Sequence, residues 1–147
     1  MDLIIRTTVF DTMKVQAECA YPLECVGFLF GTEASNERHL RIARPVVNSM
    51  EGDQRRRFMI DPKDYLMAEK YSEANNIGLL GIYHSHPDHP ARPSEHDLKQ
   101  AVPYFSYIIL SIKKGELVDT TSWQLNDHGH FEEEQIIIKD ENTINLN

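Results

Sequence analysis

The sequence has little cysteine, an excess of acidic over basic residues, and no long apolar run. Its 147 residues include only two cysteines, Cys19 and Cys25, which are too few for a disulfide framework and do not form a CxxC pair. With 15 lysines and arginines against 23 aspartates and glutamates, the formal net charge is −8. Proteins that bind nucleic acid need a basic face, so no nucleic-acid partner is expected.

The missing apolar runs also argue against a membrane protein. No segment approaches the roughly 20 apolar residues that a membrane-spanning helix requires. Residues 1–13 contain an apolar patch of three residues preceded by an aspartate, so no signal peptide is predicted there. We therefore expect a cytoplasmic protein with no membrane partner.

The length and composition suit one globular domain. The residues are 41% apolar and 26% charged, as in ordinary soluble proteins, and 147 residues is a typical domain length. We predict a single domain over residues 1–138. The last residues are polar, so 139–147 are predicted to form a flexible C-terminal tail.

The pattern of apolar residues, glycines and prolines predicts helices mixed with strands. Helices are predicted to begin at Thr8, Asp61 and Ser94, each with that residue as N-cap. Uninterrupted apolar runs predict buried strands at 25–31 and 77–83. Further strands are predicted at 3–5, 39–47, 107–112, 120–125 and 130–138. Strict βαβ alternation is absent, so we expect an α+β fold in which a mixed, mostly antiparallel curved sheet is flanked by about three helices.

Two of the seven histidines follow directly on a predicted strand. His84 and His86 are two residues apart, so in extended chain both point to the same side, about 7 Å apart at Cα. Asp97 comes after a proline-rich loop, in the first turn of the third helix, from which its carboxylate can return to the histidines. Two imidazoles and one carboxylate leave a fourth position for water, which is typical of catalytic zinc.

Each part of this pattern also has an explanation without a metal. A His-x-His pair at a strand end is often exposed polar surface. Ser94 and Asp97 are spaced as in a capping box, which stabilises a helix start by itself. The metal site is favoured by the combination of a buried strand, His-x-His, a stiff loop and Ser-x-x-Asp.

This combination resembles the signature of the JAMM (MPN-plus) metalloproteases. The match includes the string HSHP at 84–87, with the serine and the aspartate spaced behind it as in that family. Upstream, the segment 21–31 resembles the glycine-rich element that carries the family's glutamate. Smaller matches at 46–48, 58–62 and 81–83 extend the resemblance from about residue 9 to about residue 112. The matching site residues are Glu24, His84, His86, Ser94 and Asp97.

The resemblance implies a compact, prokaryotic type of zinc peptidase or isopeptidase. Zn²⁺ would be held by His84, His86 and Asp97, Glu24 would be the general base, and Ser94 would donate to the oxyanion. The implied substrate is a ubiquitin-like or sulfur-carrier protein, cleaved after its C-terminal Gly-Gly. The reaction would remove a C-terminal adduct such as cysteine, or release a conjugated protein. The implied assembly is a monomer or a homodimer.

Two other functions remain open from the sequence. The string HSHPDH at 84–89 also matches the first zinc motif of the metallo-β-lactamase fold, which would make Asp88 and His89 ligands. A chain of 147 residues has little room for the second half of that fold. A non-catalytic MPN-type scaffold is the other alternative, although such relatives have typically lost the zinc ligands that this chain retains.

One basic cluster stands out from the acidic composition. Arg55, Arg56 and Arg57 follow one another in a polar segment between a predicted strand and the second predicted helix. A solvated loop is the simplest explanation. The cluster is also the local patch most able to meet an acidic partner surface.

Overall fold

The computed structural model describes residues 1–140, which form seven strands and three helices. In chain order they are β1 (Asp2–Arg6), α1 (Thr7–Ala20), β2 (Val26–Ala34), β3 (Glu37–Val46), α2 (Pro62–Ala74), β4 (Gly78–Pro87), α3 (Glu95–Gln100), β5 (Ser106–Lys113), β6 (Glu116–Leu125) and β7 (Phe131–Lys139). Every predicted strand overlaps an observed one. Of the predicted C-terminal tail 139–147, residues 141–147 lie outside the described part of the chain.

The seven strands close into a barrel in the order β1-β3-β2-β4-β5-β6-β7. Closure depends on β1, which pairs in parallel with both β3 and β7. The prediction of an α+β fold, with a curved sheet flanked by about three helices, is therefore wrong. It failed because the pairing that closes the barrel joins the first strand to the last, as in Leu3 with Ile136, and local apolar patterns do not report such distant partners.

Helix α1 packs against one face of the barrel strands. Its buried residues Val9, Met13 and Ala17 recur every four positions, which places them on one side of the helix. They join a core that includes Leu29 of β2 and Leu110 of β5. Helix α1 contacts β1, β3, β4, β5, β6 and β7, so its buried side packs against most of the barrel strands.

Two of the three predicted N-caps are confirmed. Asp61 caps α2 by accepting a hydrogen bond from the Lys63 amide, and Ser94 caps α3. The predicted cap at Thr8 is wrong, because α1 continues directly from β1 and its N-cap, Arg6, makes no side-chain capping bond. No helix in residues 1–140 is long and apolar enough to cross a membrane.

Strand β4 lies between β2 and β5 and carries the predicted histidines. It is antiparallel to β2 and parallel to β5, and its residues from Leu80 to Pro87 are all buried. The strand predicted at 77–83 ends too early, since pairing with β5 continues to Pro87. His84 and His86 therefore belong to a strand that is paired on both sides, and this pairing holds their backbone rigidly.

Candidate metal centre

Strand β4 and helix α3 bring His84, His86 and Asp97 together. The Nε2 atoms of the two histidines lie 3.1 Å apart. Nε2 of His84 is 3.2 Å from Oδ1 of Asp97, and Nε2 of His86 is 3.2 Å from Oδ2. All three side chains are buried, and one ligand atom from each lies within 4.8 Å of the others. The spacing that predicted convergence thus corresponds to a compact group of three possible ligands.

The start of α3 holds the Asp97 carboxylate in place. Its Oδ2 accepts a hydrogen bond from the Ser94 amide at 2.8 Å, while the Asp97 amide donates to Ser94 Oγ at 3.1 Å. This is a complete capping box. The capping explanation and the metal explanation are therefore compatible, because the same bonds that begin the helix aim the carboxylate at the histidines.

The hydrogen bonds of His86 leave its Nε2 atom suited to a metal. Nδ1 of His86 lies 2.9 Å from the Pro90 carbonyl oxygen, which can only accept, so Nδ1 carries the proton and donates. In the neutral ring Nε2 then presents a lone pair toward Asp97. An acceptor facing a carboxylate oxygen at 3.2 Å is unfavourable unless a cation or an added proton lies between them.

The electrostatics of the group also fit a cation. Burial lowers the pKa of His84 despite the nearby Asp97 charge, so this imidazole is neutral near pH 7. Burial opposes ionisation of Asp97, but His84, His86 and the Ser94 amide outweigh it and hold the pKa of this carboxyl below its usual range. Neutral imidazoles and an ionised carboxylate are the protonation states that bind metal.

Glu24 is a buried carboxyl group just before β2. Its side chain is 5% exposed, and within residues 1–140 its Oε1 has no hydrogen-bond partner. Burial, followed by the charges of Asp97 and Asp53, raises its pKa to about 9. Its backbone is held by hydrogen bonds to Gln54 and from Asn48. An unpaired buried carboxyl group with a strongly raised pKa is a candidate for acid–base chemistry.

A cleft of about 460 Å³ is lined by both Glu24 and His86, one of the three possible ligands. Ser94 also lines it. The Ser94 hydroxyl accepts the capping bond from Asp97, and its own proton stays available to a group in the cleft. The lining residues are Glu24, Arg56, His86, His89, Pro90, Arg92 and Ser94.

Asp88 and His89, the two additional ligands of the lactamase-like motif, do not converge on this site. Asp88 Oδ2 accepts a hydrogen bond from the Tyr21 hydroxyl at 2.6 Å, and its Oδ1 accepts one from the Lys114 amide. Within residues 1–140, neither Asp88 nor His89 belongs to the group of ligand atoms. His89 instead lines the cleft.

Several supporting residues were not predicted as part of the site. The Phe58 ring lies against His84 with centroids 4.6 Å apart, which helps keep that imidazole dry. Ser85 Oγ accepts a hydrogen bond from the Cys25 amide at 2.8 Å and so ties β4 to the segment that carries Glu24. The contact of Phe58 with β4 depends on the fold, so the neighbouring residues do not predict it. The only hint in the sequence was that 58–62 is one of the segments that resemble the family.

Comparison with known proteins identifies relatives of this chain. Residues 6–126 match a family described as prokaryotic homologs of the JAB domain. The chain is 30% identical over 117 residues to a desampylase from Pyrococcus furiosus, covering 80% of this chain and 77% of that protein. It is 48% identical over 50 residues to a probable TtuB-protein conjugate cleaving protease from Thermus thermophilus, covering 32% and 34%. A solved structure from Desulfitobacterium hafniense aligns with a TM-score of 0.82 at 32% identity, covering 95% and 94%.

Proposed function

This chain belongs to the family of prokaryotic homologs of the JAB domain, and on that premise we propose that it is a zinc-dependent peptidase or isopeptidase. Its substrate would be a ubiquitin-like or sulfur-carrier protein, cleaved after the C-terminal Gly-Gly. The observation that carries this proposal is the buried group of His84, His86 and Asp97 beside a cleft that also contains an unpaired Glu24. The names of the Pyrococcus and Thermus relatives, a desampylase and a conjugate cleaving protease, support a deconjugating activity.

The donor set fits zinc. His84, His86 and Asp97 would hold the ion with two nitrogens and one oxygen, the ligand types and the number that catalytic zinc sites use. The buried Nε2 of His86 faces a carboxylate oxygen, and a cation would relieve this contact. When bound, zinc supplies Lewis-acid activation, lowering the pKa of a coordinated water to about 7.

Glu24 would move the proton. Its carboxylate would accept a proton from the attacking water and pass it to the leaving nitrogen, so that the amide C–N bond is replaced by a carboxylate and an amine. The pKa of about 9 is that of the metal-free protein, in which Glu24 is protonated near pH 7. A bound zinc ion would place positive charge nearby and lower this pKa, so that the carboxylate form would be available as the base.

Ser94 would stabilise the charge that develops on the carbonyl oxygen. Its hydroxyl lies on the cleft wall with a proton free to donate. A single donor of this kind is worth about 10²–10³ in rate. The Gly-Gly tail suits the cleft because it brings no side chains past the buried residues.

The proposal is tested by metal content together with cleavage. Purified protein is expected to hold close to one zinc per chain, measured by atomic emission. It is also expected to shorten a small sulfur-carrier protein, of the kind called ThiS-type or MoaD-type, that is extended beyond Gly-Gly. Glu24→Gln is expected to keep the zinc and lose about 10³-fold or more in cleavage rate. His84→Ala and Asp97→Ala are expected to lose the zinc itself.

Either of two results would contradict the proposal. If the wild-type protein holds no zinc after purification from zinc-containing medium, the proposed metal centre is wrong. If Glu24→Gln cleaves at the normal rate, Glu24 is not the base, although the proposed metal centre is unaffected.

A further inference from the structure

The cleft beside Glu24 has two cationic side chains in its wall. Arg56 comes from the loop between β3 and α2, and Arg92 comes from the loop between β4 and α3. The whole chain carries a net charge of −8, so a cleft lined by two arginines from separate loops is unusual for it. Arg56 is also the one member of the basic segment Arg55–Arg57 that lines the cleft.

Both guanidinium groups are available to a ligand. Nε of Arg56 lies 3.9 Å from Oδ2 of Asp53, and the two side chains are 76% and 55% exposed. An exposed ion pair with so long a separation contributes little to stability, and Arg56 can readily exchange Asp53 for another carboxylate. The Arg92 amide donates to the Pro90 carbonyl, but within residues 1–140 its guanidinium makes no hydrogen bond or ion pair.

Two guanidinium groups in one cleft wall favour an anionic ligand. Guanidinium groups present forked N–H donors whose geometry matches a carboxylate. Arg56 and Arg92 therefore give the cleft a place for a carboxylate.

We propose that Arg56 and Arg92 form a subsite for the free α-carboxylate of the leaving group. This inference rests on the proposed peptidase function and narrows it. The preferred substrate is then a carrier extended beyond Gly-Gly by one to a few residues, which the site would cleave faster than a carrier joined to a lysine of another protein. In the reaction, water is added across the bond after Gly-Gly, and the released amino acid or short peptide keeps its own carboxylate on the arginines.

The reach of the peptide supports a short leaving group. A chain spans at most about 3.5 Å per residue, so one to three residues place the terminal carboxylate within about 11 Å of the cleaved bond. A cleft of about 460 Å³ is in the size range of small-ligand sites. A conjugated protein has its carboxylate at a position unrelated to the cleaved bond, so the arginines would not meet it.

The test compares three substrates that differ only after Gly-Gly. ThiS-type and MoaD-type carriers are prepared ending in Gly-Gly-Ala with a free carboxylate, in Gly-Gly-Ala carboxamide, or in Gly-Gly joined to the Nε of a lysine peptide amide. Mass spectrometry gives kcat/KM for zinc-loaded enzyme. We expect the free acid to be cleaved about 10-fold better than the carboxamide or the isopeptide.

Three variants assign the preference to these arginines. For Arg56→Gln and for Arg92→Gln, we expect the ratio of kcat/KM for the free acid to kcat/KM for the carboxamide to fall to about 3 or below. The fall should come from a lower kcat/KM for the free acid alone. The double variant is expected to bring it close to 1. Arg55→Gln is the matched control, because it removes a neighbouring charge that does not line the cleft, and its ratio should equal that of the wild type. Zinc content is measured in every variant.

Each outcome decides the proposal. Equal cleavage of acid and amide by the wild type, or faster cleavage of the isopeptide, would overturn the carboxylate subsite and leave the peptidase function intact. A preference that persists in the double variant would overturn the role of these arginines. Zinc-loaded wild type that cleaves none of the substrates would overturn the peptidase function and this inference with it.

Discussion

Folding places the Glu24 carboxyl group where its charge is unfavourable. The side chain is buried, Oε1 is unpaired within residues 1–140, and Asp97 and Asp53 add negative potential. Buried polar atoms without partners reduce stability, so a structural role does not account for this residue. A single side chain of this kind is better explained by chemistry in the cleft than by packing.

The raised pKa of Glu24 predicts how stability depends on pH in the metal-free protein. The pKa is about 9 in the folded state against an ordinary 4.5. Between these values the folded state binds more protons than the unfolded state, so the contribution of Glu24 to stability falls as pH rises. Glu24→Gln removes this dependence. Urea unfolding with chelator present should show the free energy of unfolding of the variant rising relative to wild type by several kcal/mol between pH 5 and pH 8.5, since each pH unit in this range is worth about 1.4 kcal/mol.

The matched control for this prediction is Glu133→Gln, which neutralises an exposed carboxylate on β7. Its stability relative to wild type should change little over the same pH range, because an exposed carboxylate ionises alike in both states. A gain for Glu24→Gln that is the same at pH 5 and pH 8.5 would contradict the assigned burial of its charge.

At the scale of secondary structure, the first turn of α3 serves two purposes. Ser94 caps a helix of only six residues, and the same capping box orients Asp97. Ser94→Ala is expected to cost about 1 kcal/mol of stability, as lost N-caps do, and to slow cleavage about 10²-fold. Thermal unfolding and kcat measure the two effects.

A second variant separates the cap from the hydroxyl donor. Ser94→Thr keeps both an acceptor for the Asp97 amide and a hydroxyl proton, so it should recover stability and part of the rate. If Ser94→Ala loses stability but cleaves at the wild-type rate, the serine acts only as a helix cap.

Strand β4 depends on a glycine where it meets β5. A Cβ at Gly81 would lie 1.9 Å from the carbonyl oxygen of Ser106, which is backbone and cannot turn away. Gly81→Ala is therefore expected to destabilise the protein by more than about 3 kcal/mol and to weaken zinc binding. In the same strand, a Cβ at Gly78 would lie 3.1 Å from the movable Leu80 side chain and 3.5 Å, an ordinary contact distance, from the Gly31 carbonyl oxygen, so Gly78→Ala is a milder control. Similar losses for both variants in urea unfolding would argue against the close approach of β4 and β5.

For the whole molecule, barrel closure predicts that the candidate metal centre unfolds together with the distant strands. The proposed ligands lie on β4 and α3, while Trp123, the one tryptophan of the chain, lies on β6. The two regions are connected through β5, which pairs with both β4 and β6. Binding that favours the folded state should therefore stabilise β6 as much as the metal centre.

Zinc is expected to raise the midpoint of thermal unfolding seen by Trp123 fluorescence and by circular dichroism alike. At a free zinc concentration 1,000 times the dissociation constant, the stabilisation is about 4 kcal/mol, which corresponds to roughly 10 °C for a domain of this size. His84→Ala should show no such shift. A zinc-induced shift in circular dichroism without one in Trp123 fluorescence would mean that the barrel does not unfold as one unit.

Local sequence patterns were enough to predict the local structure of this protein. The strand positions, the shared side of His84 and His86, and the capping residues Asp61 and Ser94 follow from alternation and from neighbours a few positions away. The resemblance also pointed to Glu24, although nothing in its neighbouring residues predicts burial of its charge. Such features are predictable because the interactions behind them span only a few residues.

The closed barrel and the set of residues that line the cleft could not be predicted from such patterns. Closure joins β1 to β7, the loss of solvent around Glu24 depends on segments from several parts of the chain, and Arg56 and Arg92 line one cleft from two separate loops. The physical reason is common to all three. Burial, electrostatic potential and sheet closure are sums over groups that are distant in sequence, so they exist only once the chain has folded.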